Sequence, residues 1–300
     1  MNKSRTTALA LAWLVCAATA RAQAGRELRV FISADMEGVT GVVNAAQLAP
    51  GEFEYERFRK LMTGEVNAAI DGALAAGATK ITVADSHGNG LNLLVEELNP
   101  KARLIRSWPR PLEMMEGVEG GFDAALFVGY HASINTPQAV RAHSISSRRF
   151  YDLRLNGQRA SEGLLNAAIA GHFGVPVVLV SGDDAAVAEL QRTVGPGLAG
   201  VVVKRAIGYH AADNLAPELA RQRIRAETEA ALRRLGSAKP FVMPGPVRLE
   251  ISFKSMVNAE VLALLPVVER VDGATVAFAA RDIVEAVKFV SFVTQYDSTQ

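Results

Sequence analysis

The sequence predicts an α/β fold in which helices sandwich a mostly parallel sheet, followed by a smaller C-terminal α+β domain. Three observations support this prediction. Strand-like and helix-like segments alternate along the chain, and the strand-like runs are almost continuously apolar. In addition, 49% of the 300 residues are hydrophobic, which is enough for a substantial core. Continuous apolar runs are typical of strands buried on both faces, as in parallel sheets covered by helices.

The first part of the chain carries the clearest elements. A helix is predicted over 55–77, where apolar residues recur at helical spacing and the run ends at a glycine. A second helix is predicted over 162–174, with Ser161 as its candidate N-cap. The pair Asn156-Gly157 predicts a hairpin. The predicted strands of this part are 28–33, 80–85, 102–107, 124–130 and 175–182.

The pattern weakens after residue 182. An amphipathic helix with a charged outer face is predicted over 217–236, and 238–246 is a proline-rich connector. The other predicted elements are a strand within 194–206, strands at 247–253 and 274–280, and a helix at 282–295. We therefore expect an α/β domain over residues 28–200 that carries the metal site, and a smaller α+β domain over residues 201–300.

The N-terminal residues have the form of a targeting segment. Lys3 and Arg5 precede an apolar run that is too short to span a membrane, and the run ends near Ala20-Arg21-Ala22, a small-x-small cleavage site. We expect residues 1–22 to be a signal peptide and the protein to be exported to the periplasm or secreted. An uncleaved anchor is the alternative. The single cysteine, Cys16, falls in this segment, so the mature chain would have no disulfide.

Charge and hydropathy argue against two classes of partner. The formal net charge is +1 and the basic residues are scattered, so we expect no nucleic-acid partner. No later apolar run is long enough to cross a bilayer, so we expect no membrane partner.

Acidic and imidazole side chains collect where the predicted strands end. They are Asp35 and Glu37 after the first strand, Asp85 and His87 after the second, His131 after the fourth, and His143 and Glu162 farther along. Ligands of open α/β sheets bind beyond the carboxyl ends of the strands. Carboxylates and imidazoles together are ligands for zinc or a similar metal, and one aspartate can bridge two ions. The sequence therefore predicts a metal site there, with Asp85 either orienting His87 or capping a turn.

Five blocks carry a family resemblance. Ser33, Asp35, Glu37 and Gly38 match the signature S-x-D-x-E-G, and the blocks at 85–87, 129–132, 143–144 and 162–166 follow in the family's order. In these blocks, and from about Leu28 to its end, the chain resembles the D-aminopeptidases of the DppA type, a family of zinc metallopeptidases. The resemblance implies two zinc ions per subunit, with Asp35 shared between them and His143 as an additional catalytic residue. The zinc ligands that it implies are Asp35, Glu37, His87, His131 and Glu162.

The same resemblance implies a function. We expect a zinc-dependent aminopeptidase that uses a metal-activated water to remove the N-terminal residue, preferentially a D-residue, from short peptides. A homo-oligomer, a decameric ring, is implied as well. Two alternatives stay open at this point: a metal-dependent amidase or esterase acting on small amides, and an exported metal- or peptide-binding protein without turnover.

Overall fold

The computed structural model describes residues 27–296, so the predicted signal peptide and Cys16 lie outside the described residues. Twelve strands and six α-helices are found within this range. The strands are β1 (Leu28–Ala34), β2 (Ala78–Asp85), β3 (Ala102–Ile105), β4 (Ala124–Tyr130), β5 (Phe150–Leu155), β6 (Gln158–Arg159), β7 (Val177–Asp183), β8 (Ala199–Gly208), β9 (Ala211–Asn214), β10 (Val247–Phe253), β11 (Val268–Arg270) and β12 (Thr275–Ala280). The helices are α1 (Tyr55–Ala75), α2 (Glu162–His172), α3 (Asp184–Thr193), α4 (Pro217–Arg233), α5 (Met256–Leu262) and α6 (Ile283–Gln295).

Seven strands form the larger sheet, in the order β3-β2-β1-β4-β7-β8-β9. All neighbours pair in parallel except β8 and β9, which pair antiparallel. Alternate residues of β1 enter different cores. Val30 and Ile32 pack in one core together with residues of α1 and α4, whereas Phe31 packs in the other together with residues of α2 and α6. The sheet is thus buried on both faces, which confirms the predicted α/β sandwich.

Local signals set the helix starts. Ser161 caps α2, because its side chain accepts a hydrogen bond from the Leu164 amide at 3.2 Å, as predicted. Asp183 caps α3 in the same way through the Ala186 amide at 2.8 Å. The Ser161 cap matters for the site, because it fixes where α2 begins and therefore where Glu162 lies.

The second sheet is antiparallel, in the order β11-β12-β10-β5-β6. Its β5–β6 hairpin turns at Asn156 and Gly157, with φ of 51° and 80°, as the Asn-Gly pair predicted. The two sheets do not divide the chain at residue 200, the predicted domain boundary. The hairpin lies before that residue yet pairs with β10, whereas β8, β9 and α4 lie after it yet join the larger sheet and its core.

The topology of the larger sheet positions the site. From β1 the chain proceeds outward through β2 and β3, then returns to the other side of β1 with β4 and continues to β7 and β8. Loops that leave the carboxyl ends of β1 and β4 therefore diverge, and a crevice opens between them. Over residues 27–296, no helix has the length and apolar character needed to span a membrane.

Candidate active site

All six predicted site residues lie buried at this crevice. Each is carried by a segment at the carboxyl edge of the larger sheet: Asp35 and Glu37 after β1, His87 after β2, His131 after β4, His143 on the loop before β5, and Glu162 at the start of α2.

Asp35 lies between two histidines. Its Oδ1 is 3.3 Å from Nδ1 of His87, and its Oδ2 is 3.4 Å from Nε2 of His131. Glu37 Oε2 adds a second oxygen 2.8 Å from His87 Nδ1, and Glu162 Oε2 adds one 3.3 Å from His131 Nε2. The cluster therefore has two halves that share one aspartate.

Backbone carbonyls fix which nitrogen of each imidazole faces the cluster. His87 donates through Nε2 to the Leu48 carbonyl at 2.7 Å, and His131 donates through Nδ1 to the Ala132 carbonyl at 3.0 Å. Because a carbonyl can only accept, those nitrogens carry a proton, and the other nitrogen of each ring faces the carboxylates. This is the arrangement in which outer-shell hydrogen bonds orient metal-ligating histidines.

His143 completes the cluster from one side. Its ring stacks on that of His131, with centroids 4.1 Å apart. Its Nδ1 donates to the Arg141 carbonyl at 2.9 Å, which leaves Nε2 facing the carboxylates, 3.6 Å from Glu162 and 4.0 Å from Glu37.

These residues fit a zinc ion. Donor atoms of Asp35, Glu37 and His131 lie within 4.8 Å of one another, as do those of His131, His143 and Glu162. Tetrahedral zinc with bonds near 2.0–2.1 Å holds its ligand atoms about 3.3 Å apart. Three of the four nitrogen–oxygen distances described above, at 3.3, 3.4 and 3.3 Å, are close to that separation. Two of the facing atoms, Asp35 Oδ2 and His131 Nε2, are buried and have no hydrogen-bond partner among the described residues. A cation between them would satisfy both lone pairs.

Electrostatics also favours a bound cation. Burial raises the pKa of Asp35 to about 7, and the nearby charge of Glu37 adds to the shift. Burial opposes ionisation of Glu162 too, but the facing His131 and His143 together outweigh burial and lower the pKa of Glu162. Three buried carboxylates in one cluster repel one another, and divalent ions would relieve that repulsion.

Two glycines allow the loops after β1 and β4 to touch. A Cβ on Gly38 would lie 2.1 Å from the Tyr130 carbonyl oxygen, and one on Gly129 would lie 2.2 Å from that of Asp35. Gly129 also has a φ of +75°, and the amide of Gly38 donates to its carbonyl at 2.7 Å. The glycine of the S-x-D-x-E-G signature is therefore needed for close packing of the backbone.

A buried hydrogen-bond network joins four of the family blocks beneath the ligands. Asn166 donates to the hydroxyl of Tyr130 at 2.8 Å, which in turn donates to Ser33 Oγ at 2.7 Å. Ser33 Oγ lies 2.9 Å from Ser86 Oγ. These four residues come from segments that each carry a predicted ligand, so the network ties the ligand-bearing backbones to one another.

Lys204 of β8 holds the loop that carries Glu37. Its side chain is buried, and Nζ donates to the carbonyls of Glu37, Val39 and Val42 at 2.6, 2.9 and 2.6 Å. Burial lowers the pKa of Lys204 to about 8. Sequence reasoning missed this residue, because a lysine in a strand gives no sign that it points into the protein.

Asp85 lies in this region but has no ion pair with His87. Its carboxylate instead accepts hydrogen bonds from the amides of Asn92 and Leu93 and from the Asn92 side chain, at 2.6–2.8 Å. The Asn92 side chain also donates to the His87 carbonyl at 2.6 Å. Of the two roles considered for Asp85, these contacts favour organisation of the loop. The remaining histidines, His172 and His210, lie outside the cluster.

A cavity of about 480 Å³ opens beside the cluster. Besides the site residues, its lining includes Trp108, Glu113, Arg141 and Arg148. Glu113 is buried, has a φ of +51°, and has one carboxyl oxygen without a hydrogen-bond partner in the described part of the chain. Burial raises the pKa of Glu113 to about 7. No motif in the sequence singled out Glu113 or Arg141.

Comparison with known proteins identifies the family of this chain. A family model described as Peptidase_M55, D-aminopeptidase, matches residues 28–292. The chain belongs to the M55 D-aminopeptidase family. It is thereby a member of a family of peptide hydrolases, as the resemblance of the five blocks predicted.

Two relatives of this M55 family member cover nearly its whole length. A D-aminopeptidase of Bacillus subtilis (strain 168) is 36% identical over 271 residues, which are 89% of this chain and 97% of the relative. A solved structure described as the Zn-dependent D-aminopeptidase DppA from Bacillus subtilis, a self-compartmentalizing protease, superposes with a TM-score of 0.85 at 35% identity. It covers 91% of this chain and 100% of its own.

Proposed function

We propose that this protein is a zinc-dependent aminopeptidase that removes an N-terminal D-residue from short peptides. The observation that carries the proposal is the convergence of Asp35, Glu37, His87, His131 and Glu162 in a buried cluster whose imidazole nitrogens face its carboxylates. Membership of a D-aminopeptidase family supports the peptide bond as the target.

Two zinc ions per subunit are part of the proposal. Each oxygen of Asp35 faces a different histidine, so one ion would be held by Asp35, Glu37 and His87 and the other by Asp35, His131 and Glu162. Zinc bound there supplies a Lewis acid for the scissile carbonyl and lowers the pKa of water.

His143 would move the proton. Burial and the adjacent His131 lower the pKa of His143, so its ring is neutral at pH 7. Because Nδ1 is committed to the Arg141 carbonyl, Nε2 is the nitrogen that can accept a proton from the attacking water and deliver it to the leaving amine. The cavity beside Nε2 leaves room for the peptide.

The test is a substrate panel combined with metal analysis. The full-length protein is assayed on D-Ala and L-Ala p-nitroanilides and dipeptides, before and after chelation and after zinc is restored, while zinc per subunit is measured. We expect about two zinc ions, and chelator-sensitive turnover that favours the D-substrates. Hydrolysis of amides without a free amine would favour the amidase alternative, and bound zinc without any turnover would favour the binding-protein alternative.

Two variants distinguish a zinc ligand from the residue that carries the proton. We expect Glu162→Gln to reduce the zinc content. In contrast, we expect His143→Ala to keep zinc and lose about 10²- to 10⁴-fold in kcat, the range typical of general acid–base groups. His172→Ala is the matched control, because this histidine is exposed and lies outside the cluster. Unchanged kcat in His143→Ala at full zinc loading would remove His143 from catalysis.

We further propose that the protein is a homo-oligomer, with a decameric ring as the expected form. The relative described as self-compartmentalizing supports an oligomer. A patch of exposed apolar side chains on α5 and just after it also supports an oligomer, because monomers rarely expose large apolar patches. Its residues are Met256, Val257, Val261, Leu264 and Val267. Native mass spectrometry gives the subunit number, and a monomeric species would contradict the proposal.

Export is the last part of the proposal. The basic start, short apolar run and Ala20-Arg21-Ala22 site of the N-terminal sequence support a cleaved signal peptide. Sequencing the N-terminus of the protein recovered from the periplasm or medium of an expressing bacterium tests it. We expect the mature chain to begin at Gln23, and an intact N-terminus confined to the cytoplasm would contradict export.

A further inference from the structure

The cavity beside the metal-ligand cluster has a basic part as well as an acidic one. Arg141 and Arg148 line the same 480 Å³ cavity as Asp35, Glu37 and Glu162. None of the ion pairs formed among residues 27–296 includes either arginine. Two cations without carboxylate partners therefore face the space in which a peptide would lie.

Arg141 is held in place although it has no ion pair. Its backbone has a φ of +53°, its amide donates to the Tyr209 carbonyl at 3.1 Å, and its carbonyl accepts from His143 Nδ1 at 2.9 Å. The guanidinium carbon lies 5.2 Å from the centre of the Tyr209 ring, and Nη1 donates to His210 Nε2 at 3.2 Å. A restrained guanidinium loses little conformational entropy when it binds an anion.

Most donors of the Arg141 guanidinium are unused, because the hydrogen bond from Nη1 to His210 is the only one that it makes within residues 27–296. Nε is covered by protein atoms, whereas Nη2, which also has no partner there, is accessible to a ligand oxygen. Guanidinium groups bind carboxylates with paired, charge-assisted hydrogen bonds, so a carboxylate is the ligand best matched to this position.

The reaction geometry indicates which carboxylate this is, an argument that rests on the proposed aminopeptidase function. In the proposed reaction, the leaving amine would lie next to Nε2 of His143, which lines the same cavity as Arg141. In a dipeptide, the leaving residue carries the free carboxylate, and its carbon is about 2.5 Å from the amine nitrogen because only Cα separates them. The carboxylate would therefore lie in the cavity that Arg141 and His143 both line.

We infer that Arg141, assisted by Arg148, binds the C-terminal carboxylate of the substrate and makes the enzyme selective for dipeptides with a free carboxyl group. The acidic cluster that lines the same cavity would accommodate the ammonium end of such a zwitterion. Arg141 is in this account a substrate-binding residue, and the choice between free and blocked peptides is the property that it sets.

The test compares an acid with its amide. Zinc-loaded wild type, Arg141→Gln, Arg141→Lys and Arg148→Gln are assayed on D-Ala-D-Ala, on D-Ala-D-Ala amide and on D-Ala p-nitroanilide. We expect Arg141→Gln to raise KM for the acid about 10- to 100-fold, the loss typical of a charge-assisted hydrogen bond, while kcat for the acid, and kcat and KM for the two substrates without a carboxylate, change less than about twofold. Arg141→Lys should recover part of the preference for the acid, and Arg148→Gln should show a smaller loss than Arg141→Gln.

Controls exclude trivial causes. Arg223→Gln removes the same charge from an exposed position on α4 and should leave the acid-to-amide ratio unchanged. Zinc content and the thermal unfolding midpoint are measured for every variant. An equal loss on the acid and the amide, or an unchanged ratio in Arg141→Gln, would overturn the inference.

A binding measurement separates this inference from the proposed function. Calorimetry uses an uncleavable analogue of D-Ala-D-Ala, in which a methylene replaces the scissile carbonyl, as the acid and as the amide. We expect wild type to bind the acid at least about tenfold more tightly, and Arg141→Gln to bind both equally. This preference is visible even if no substrate of the panel is hydrolysed, whereas equal binding of both analogues by wild type contradicts the role of Arg141 while leaving the peptidase proposal intact.

Discussion

Replacing Lys204 by methionine should weaken both the fold and the metal site. Methionine keeps the length and the apolar stem of the side chain but removes the three hydrogen bonds that the ammonium group donates to the loop after β1. One of the three acceptors, the Val39 carbonyl, keeps a bond from the Val42 amide at 3.1 Å. The carbonyls of Glu37 and Val42 lose the only partner that the described residues give them.

The size of the loss follows from these two carbonyls. A buried polar group left without a hydrogen bond costs about 1–3 kcal/mol, so the pair costs about 2–6 kcal/mol. Removing a buried charge offsets part of this, because the ammonium group no longer has to be desolvated. We therefore expect Lys204→Met to lower the free energy of unfolding of the zinc-free protein by about 3 kcal/mol.

Lys204→Met should lower the free energy of unfolding of the zinc-loaded protein by a larger amount. Glu37 is a predicted zinc ligand, and its backbone carbonyl is one of the groups that Lys204 holds. Loss of such outer-shell support typically weakens metal affinity by about 10- to 100-fold, which corresponds to about 1.4–2.7 kcal/mol. At saturating zinc, the effect of the substitution should exceed that in the zinc-free protein by this amount.

Denaturant unfolding with and without zinc measures both quantities, and a competition titration with a chromogenic chelator gives the zinc dissociation constant independently. Lys60→Met is the matched control, because Lys60 is exposed on α1 and should change neither value. If Lys204→Met destabilised both forms equally and left zinc affinity unchanged, Lys204 would only stabilise the fold. If neither form were destabilised, the reasoning from unsatisfied carbonyls would be refuted.

Three further predictions concern the loop packing, the metal site and a buried acid. Gly38→Ala should destabilise the protein by at least about 2 kcal/mol in thermal unfolding, since its Cβ would lie 2.1 Å from the Tyr130 carbonyl oxygen, whereas Gly197→Ala, with no atom within 4 Å of the new Cβ, should lack this clash. Zinc affinity should fall at least about tenfold per pH unit below pH 7, because Asp35, with its pKa of about 7, must lose its proton to ligate, as must His87 and His131, whose pKa values the facing carboxylates raise; calorimetry in two buffers should show the released protons, and a pH-independent affinity would contradict this. Burial raises the pKa of Glu65 from 4.5 to about 7, so its native form holds a proton that the unfolded chain has lost; as the pH rises from 4.5 to 7, denaturant unfolding should show a loss of stability that is about 3 kcal/mol larger in wild type than in Glu65→Gln, and equal losses would contradict this.

Much of the fold could be predicted from local pattern. The apolar runs of β1, β2, β4 and β7 indicated strands buried on both faces, and Ser161 marked the start of α2. These predictions succeed because side-chain burial and end-capping act within a few residues of the chain. The short elements α5 and β11 were missed, since three to seven residues carry too little periodicity to distinguish them from a loop.

Partnership between distant strands could not be predicted in the same way. The β5–β6 hairpin was expected, but its pairing with β10, almost 100 residues later, depends on which apolar faces cover each other. The same is true of β8, which extends the larger sheet from beyond the predicted boundary. Strand pairing is decided by non-local burial and by backbone hydrogen bonds that any sequence can make.

Sequence pattern alone was enough to predict which carboxylates and imidazoles come together, because groups that follow parallel strands must meet at one edge of the sheet. The residues that support and surround that cluster became known only from the folded chain. Lys204 of β8 donates a hydrogen bond to the carbonyl of Glu37. Arg141, whose carbonyl accepts from His143, has no ion pair within residues 27–296. A charged residue has the same local signature whether it faces water or a buried carbonyl, so its partners become visible only when the chain is folded.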